Sequence, residues 1–408
     1  MKKRKLVKNK MKILILGPYA PHGQVGAQRI ISLSRYLIEK KHSVSVLCLS
    51  EKTLKEIDKN GLTASIPKGV KIISYDISTS CKSLMKKNYV NGSECRRALI
   101  DELNKESYDV IFVSAGPFYT FNAIAEAKKR KIPYIVDYRD LHISSPDKRK
   151  RTGLINKIKF AISFPARFLQ EYICLKNSSK ITVVSPEMKE NICNYFKISK
   201  EKVHVIYNGY DDYALKGISK EAPLKDEFCI GYFGKLMYYN KQFTALMFNA
   251  IEKLNGLGYN IKLLHVGPTN KEINSYFRTN NMNAMKWYKC VGQKEYAEGI
   301  EILSSCNAFY LEYEMPEGPG TKVFDYIYLN KPIIGVLRPN ISLEKLLKEF
   351  DNAFVCYNET QVENAILKII NEKINTLTNG KKDSIIKYSR SIQNNKLEKL
   401  LRTVKYGK

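Results

Sequence analysis

The sequence contains no Cys-x-x-Cys pair, and its five histidines (His22, His42, His142, His204 and His265) show no metal-ligand spacing. Together these absences exclude a zinc-ribbon or zinc-finger framework, and no metal is expected. The nine cysteines are odd in number and scattered from Cys48 to Cys356, which fits buried thiols in a reducing compartment rather than a disulfide scaffold. No apolar run approaches the ~18 residues that would suggest a membrane span. A Gly-x-Gly-x-x-Gly turn is also missing, so the nicotinamide-dinucleotide fingerprint is absent and no cofactor is expected.

Acidic residues are scarce. Forty Asp and Glu stand against 68 Lys and Arg, for a formal net charge of +28. Such a field attracts nucleic acid, anionic lipid and phosphorylated substrates alike. With no zinc finger, no basic helix beside leucine heptads and no RNA-recognition signature, nucleic acid is not the expected partner. The first twelve residues carry seven positive charges before the apolar Ile13–Leu16. That run is too short for a secretory signal and lacks a small-residue cleavage site, so the segment reads as a basic leader before a buried strand, with Met11 an alternative start. The expected location is cytoplasmic.

What is present is a repeated strand–loop–helix rhythm. Met11–Leu16, His42–Cys48, Val70–Tyr75, Asp109–Ser114, Pro133–Asp137, Lys180–Ser185 and Val203–Tyr207 read as short apolar strands. Between them Ala27–Lys40, Ser93–Ser107, Tyr119–Lys131, a basic stretch 148–176 and Pro186–Phe196 show helical spacing. After a polar passage the rhythm restarts at Phe228 and continues through Ile261–Val266, Met285–Val291, Ala308–Leu311, Lys331–Leu337 and Asn352–Tyr357. Continuous apolar strands alternating with helices mean parallel sheets covered on both faces. The expectation is α/β, with Rossmann-like domains at 11–210 and 228–384, a linker at 211–227, and a final helix near 385–408 packing back on the first domain.

Ligands of open parallel sheets bind beyond the carboxyl ends of strands, and four motifs fall there. In Pro18–Gln28 a loop with Gly23 and Gly26 can offer backbone N–H groups to a phosphate. Arg29, at the helix start, conflicts with the helix dipole unless an anion sits beside it. Asp137-Tyr-Arg139-Asp140-Leu-His142 clusters charges where a strand leaves the core. Gly231–Lys241 places Gly234, Lys235 and Lys241 after another strand, and two cations there can neutralise a diphosphate leaving group. In Glu317-Gly-Pro-Gly320-Thr321-Lys322-Val-Phe-Asp325, two carboxylates eight residues apart bracket a glycine loop entering a helix that closes at Asn330-Lys-Pro332. The helix start favours phosphate, and Glu317 and Asp325 can accept hydrogen bonds from sugar hydroxyls.

Taken together, these residues resemble GT-B glycosyltransferases of the family 4 type over about Met11–Leu401, two Rossmann-like domains facing across a cleft. The supporting landmarks are Pro18-Tyr-Ala-Pro with Gly26-Ala-Gln-Arg29, Asp137-Tyr-Arg-Asp140, Val184-Ser-Pro-Glu-Met188, Val205-Ile-Tyr-Asn-Gly209, Lys235 with Lys241, and an E-x7-E motif carrying Asp at its second position. The resemblance implies a retaining transfer of a sugar from a nucleotide-sugar donor, UDP-linked by expectation, without a required metal. Lys235, Lys241, Glu317 and Arg139 are the candidate catalytic residues. Gly26, Arg29, Asp140, Gly234, Val291, Gly320, Thr321 and Asp325 are the candidate donor- or substrate-binding residues, with the base held by backbone near Val291-Gly292. Arg139 stands where many members carry a His, and Asp325 is one methylene shorter than Glu. The implied acceptor is lipid-linked or a saccharide, in cell-surface polysaccharide synthesis such as lipopolysaccharide or capsule. Lys148-Arg-Lys-Arg151 with Ile155, Ile158, Phe160, Ile162, Phe164 and Phe168 suggests a peripheral seat on an anionic membrane, against the alternative of a helix packed on its own sheet. Two other readings stay open on the same frame: a nucleotide-sugar 2-epimerase and a non-catalytic nucleotide or polyanion binder.

Overall fold

Residues 10–20, 22–23, 25–57, 62–63, 66–77, 84–145, 154–218, 227–238, 240–313, 318–378, 380 and 382–407 are described by a computed structural model. Its first strand, β1 (Lys12–Leu16), is shielded on both faces, with Ile13, Leu14, Ile15 and Leu16 all at 0% exposure. Alternation of side chains along a strand sends Ile13 and Ile15 into one core with Ile30, Leu33 and Leu37 of α1 (Val25–Glu39). It sends Leu14 and Leu16 into the opposite core with Cys95 and Leu99 of α2 (Leu84–Lys105). The sheet thus has helices on both faces, as a parallel sheet requires.

Around β1 the chain adds β2 (Ser43–Leu49), β3 (Lys71–Tyr75), β4 (Val110–Ala115), β5 (Tyr134–Tyr138), β6 (Lys180–Val183) and β7 (Val203–Val205). All pair in parallel, in the order β3-β2-β1-β4-β5-β6-β7. The winding direction reverses between β1 and β4, which places a crevice at the carboxyl ends of those strands. Helix α3 (Leu154–Asn177) covers one face, and α4 (Pro186–Phe196) starts at a Ser185 cap whose hydroxyl accepts from Met188 N at 3.1 Å.

A second sheet contains β8 (Phe228–Phe233), β9 (Ile261–Val266), β10 (Tyr288–Cys290), β11 (Ala308–Tyr313), β12 (Ile333–Leu337) and β13 (Ala353–Cys356). Its order is β10-β9-β8-β11-β12-β13, again all parallel, with the reversal between β8 and β11. Helices α5 (Lys241–Gly256), α6 (Tyr296–Ser304), α7 (Lys322–Leu329) and α8 (Glu359–Asn371) flank it. The chain divides into Met1–Tyr207 with Gln393–Lys408, and Asn208–Ile392. From the last helix, α9 (Arg390–Tyr406), Leu397, Leu400 and Leu401 join the core of Ile13 and Leu33.

Some elements differ from the sequence reading. Helix α2 begins at Leu84 rather than Ser93, because Gly92 does not break it. A Cβ on Gly92 would lie 2.8 Å from Asn122 Nδ2, so glycine is there for packing. The helix expected over Tyr119–Lys131 is two short ones, Thr120–Ala123 and Ala125–Lys129. The strand expected over Met285–Val291 shrinks to Tyr288–Cys290, since Ala284–Lys286 forms a 3₁₀ turn that seats Trp287 against Phe248 and Phe277. The eight cysteines among the described residues are all free thiols, seven of them buried.

Candidate active site

In the second unit, β8 ends at Gly234, whose φ of +98° suits glycine. A Cβ on Gly267 would lie 2.1 Å from Gly234 O, so the two backbones touch. His265 Nε2 lies 2.7 Å from the same carbonyl. On another side is Lys322, the first residue of α7, whose Nζ would be 3.7 Å from a Cβ on Gly234. The Lys322 ammonium donates to Tyr232 Oη at 2.7 Å and lies 4.1 Å from that ring's centroid. Burial lowers its pKa to about 8, against the opposing pull of Glu312 and Asp325.

Glu312 is the buried counter-charge. Its carboxylate lies 3.1 Å from Tyr232 Oη and accepts from Met237 N at 3.1 Å, Tyr310 Oη at 3.2 Å and Thr244 Oγ1. Burial still raises its pKa. Lys322 is a desolvated cation at the positive end of a helix, with the carboxylates of Glu312 and Asp325 favouring its charge. The backbone of Gly234 and the start of α7 lie beside it, an arrangement able to receive an anion.

One turn along α7, Asp325 is 6% exposed and accepts a hydrogen bond from Tyr296 Oη. Burial lifts its pKa to about 7, opposed first by the Tyr296 hydrogen bond and then by Arg390. Arg390 is itself paired with buried Asp211 at 2.8 Å. The Asp325 carboxyl expected to meet a ribose is therefore held by a phenol in this structure. Gly320 has φ +68°, and a Cβ there would come within 3.2 Å of the Tyr313 ring. Thr321 precedes α7 without capping it through its side chain. Glu317, the other carboxylate of the expected clamp, lies outside the described residues.

The structure does not bury Lys235 and Lys241 beside this cluster. Lys235 is exposed, 5.1 Å from the centroid of Tyr238, and Lys241 forms a surface pair with Glu272 at 2.9 Å. Val291 donates its N–H to His265 O at 3.0 Å and lines a cavity of about 790 Å³ with Trp287, Tyr288 and Glu298.

In the first unit, Gly26 sits in the first turn of α1 and Arg29 one turn on. The Arg29 guanidinium grips Asp137 through Nε–Oδ2 at 3.0 Å and Nη2–Oδ1 at 2.9 Å, and donates to the carbonyls of Tyr207 and Ile206. The anion that resolves its conflict with the helix dipole is thus internal: Asp137, not a ligand. Thr182 Oγ1 also donates to Asp137 Oδ1, at 2.6 Å. Arg139 follows β5 with its Nε enclosed, and Asp140 is exposed. His142 is 2.9 Å from Ala115 O through Nε2.

Residues 26–213 match the model of a family described as Glycosyltransferase Family 4. Nearly all of that match lies in the first unit, whereas the cluster of Lys322, Glu312 and Asp325 lies in the second. No curated protein matches the sequence. Among solved structures, sucrose-phosphate synthase from Thermosynechococcus elongatus is similar at TM-score 0.71 and 13% identity, over 98% of this chain and 100% of that one. Anabaena HepE in complex with UDP and glucose is similar at TM-score 0.63 and 16% identity, over 96% and 100%. A putative UDP-N-acetylglucosamine 2-epimerase from Listeria monocytogenes is similar at 0.60 and 11%, over 97% and 96%. These likenesses show the fold, GT-B with two Rossmann-like domains.

The sequence reading missed Lys322, Tyr232, Glu312, Tyr296 and the Asp211–Arg390 pair as site components. A signal existed for Lys322: it is a cation at a helix start behind a glycine loop, the anomaly noted for Arg29. Nothing in the sequence marked Tyr232 or Tyr296, because an apolar strand and an amphipathic helix both accept tyrosine as core. Among the described residues no group of three His, Cys, Asp or Glu side chains is placed to hold a metal ion, and no helix is long and apolar enough to cross a membrane.

Proposed function

We propose that this protein is a retaining glycosyltransferase that takes a sugar from a nucleotide-sugar donor, UDP-linked, and delivers it to a lipid-linked or saccharide acceptor in cell-surface polysaccharide synthesis. The observation that carries the donor reading is the Lys322 ammonium, desolvated at the N-terminus of α7 and set against Gly234. In this reading the diphosphate lies along Gly234, Thr321 and Lys322, with Lys235 and Lys241 as outer cations. As the glycosidic bond breaks, charge grows on the leaving diphosphate, and fixed cations meet it without reorganisation. No metal step is invoked, since Lys322 supplies the neutralising charge. Asp325 receives the ribose once Tyr296 yields its hydrogen bond, Glu317 lies near the donor sugar, and the base rests on backbone at Val291.

The acceptor belongs to the first unit, whose family match supports transfer chemistry. A peripheral seat on the inner membrane face is supported by α3. Its Ile158, Ile162, Leu169 and Ile173 are 49%, 69%, 54% and 44% exposed and recur at helical spacing on one face. The sequence just before that helix carries Lys148-Arg-Lys-Arg151, matched in sign to anionic lipid.

Thermal stabilisation by a panel of nucleotide sugars at physiological salt, with Lys322→Met and Asp325→Ala beside the wild type, tests the reading. Specific stabilisation by one donor, lost in the variants, is the expected result. Equal stabilisation of all three proteins by every polyanion would leave only the general +28 field acting.

A further inference from the structure

At the carboxyl ends of β4 and β5, two enclosed polar atoms have no hydrogen-bond partner among the described residues: Ser114 Oγ and Arg139 Nε. Ser114 lies in register with Asp137 across the β4–β5 pair, and Arg139 stands two residues beyond Asp137. Both therefore belong to one corner of the sheet, beside the reversal of strand order where open α/β sheets take their ligands. Orphaned buried donors are uncommon and costly, and two at one strand edge need a reason.

The neighbouring acids do not supply one. Asp137 already accepts three hydrogen bonds, two from Arg29 and one from Thr182. Asp140 is exposed. Arg139 feels the charges of Asp137 and Asp140, which favour its own, and then the guanidinium of Arg29, which opposes it, without a hydrogen-bond acceptor for its Nε. Burial is the largest influence on it and lowers its pKa, as expected for a charge taken from water without full compensation. With Asp137 committed to Arg29 and Thr182, the corner holds more donors than its own acceptors satisfy among the described residues. A guanidinium fork beside a hydroxyl suits a tetrahedral oxyanion.

We propose that Arg139 and Ser114 form an oxyanion subsite for the acceptor, and that the acceptor carries a phosphoryl group. This rests on the transferase reading above, in which the donor's diphosphate is bound by Gly234 and Lys322 of the other unit. A sugar phosphate and a lipid-linked diphosphate present the same chemistry, and the probes below separate them. Arg139 then fixes the acceptor by its anion, leaving a hydroxyl free for transfer.

The experiment measures binding of inorganic phosphate, a hexose 6-phosphate, farnesyl diphosphate and a nucleotide sugar at fixed ionic strength. Proteins compared are wild type, Arg139→Met, Arg139→Lys and Ser114→Ala, each first checked for an unchanged unliganded Tm. Ser114→Ala and Arg139→Lys keep the test readable if Arg139→Met does not fold. The expected result is saturable phosphate binding by the wild type, weakened at least 10-fold in Arg139→Met and several-fold in Ser114→Ala, with partial retention in Arg139→Lys. Tighter binding of the hexose phosphate assigns a sugar-phosphate acceptor; tighter binding of farnesyl diphosphate assigns a lipid-linked one. Nucleotide-sugar binding should be unchanged in all variants. If nucleotide-sugar binding falls with Arg139→Met, the oxyanion is the donor's own and the acceptor subsite is overturned. Equal phosphate binding by all four proteins overturns it too. Failure of every nucleotide sugar to bind the wild type would instead remove the transferase reading, while the phosphate arm would still report on this corner.

Discussion

Arg29 grips both carboxylate oxygens of Asp137, at 3.0 Å and 2.9 Å, and the two side chains are 8% and 1% exposed. The pair ties the first turns of α1 to the end of β5, and Thr182 of β6 joins it. Removing one partner of a buried pair strands the other's charge, so Arg29→Met should cost about 3–5 kcal/mol of stability. Arg29→Lys should recover only part, because a point charge cannot reproduce a two-pronged bond. Urea unfolding of the three proteins measures this; a loss below about 1 kcal/mol would mean the pair is not a structural strut.

Asp325 gives stability a pH signature. Its folded pKa of about 7 lies above the unfolded 3.8, so the folded state holds a proton that the unfolded state has lost. Stability from this group is fully present below pH 3.8 and falls as pH rises to about 7, then levels. At about 1.4 kcal/mol per pH unit the ceiling is roughly 4 kcal/mol. Asp325→Asn should flatten that limb of a stability-versus-pH curve recorded by denaturant titration. An unchanged limb would show that Asp325 titrates normally.

Lys322 and Lys241 can be ranked by substitution. Reading the chain alone, Lys241→Ala is expected to lose about 2–4 kcal/mol of transition-state stabilisation, as for one oxyanion donor. In the structure Lys241 is 64% exposed and paired with Glu272, and exposed pairs contribute about 0–1 kcal/mol. Lys322→Met should therefore weaken donor binding more than Lys241→Ala does. Donor affinity of the wild type should fall as pH rises through about 8, where Lys322 loses its proton, while Lys322→Arg should hold its affinity beyond that point. Calorimetric titrations between pH 6 and 9.5 read both effects; a larger loss in Lys241→Ala would return the inner phosphate role to that residue.

The exposed face of α3 should report on membranes. Ile162→Glu with Leu169→Glu should abolish co-sedimentation with anionic vesicles while leaving Tm within about 2 °C, since both side chains are already in solvent. Charge reversal across Lys148–Arg151 should weaken binding by roughly 1 kcal/mol per residue. Undiminished sedimentation of both variants would remove the peripheral seat.

Much of the fold was legible because its signals are local. The runs Ile13–Leu16 and Val110–Val113 are apolar throughout, which only a strand covered on both faces explains, and Gly17 and Gly116 close the two strands. The start of α2 was not legible, because Gly92 sits inside the helix for close packing against Asn122, a contact that exists only in the folded chain.

The sequence by itself determined two parallel α/β domains, the placement of every candidate site at a strand's carboxyl end, and the Gly-Pro-Gly-Thr-Lys entry into α7. Those follow from periodicity and from backbone needs that a few residues can state. Only the tertiary structure decided which side chains pair and which are desolvated. It assigned Asp137 to Arg29, Glu272 to Lys241 and Tyr296 to Asp325, and left Lys322 desolvated and Arg139 with an enclosed, unpaired Nε. Such pairings join residues as far as 108 positions apart, and the desolvation that sets each group's proton affinity exists only once the chain has closed around it.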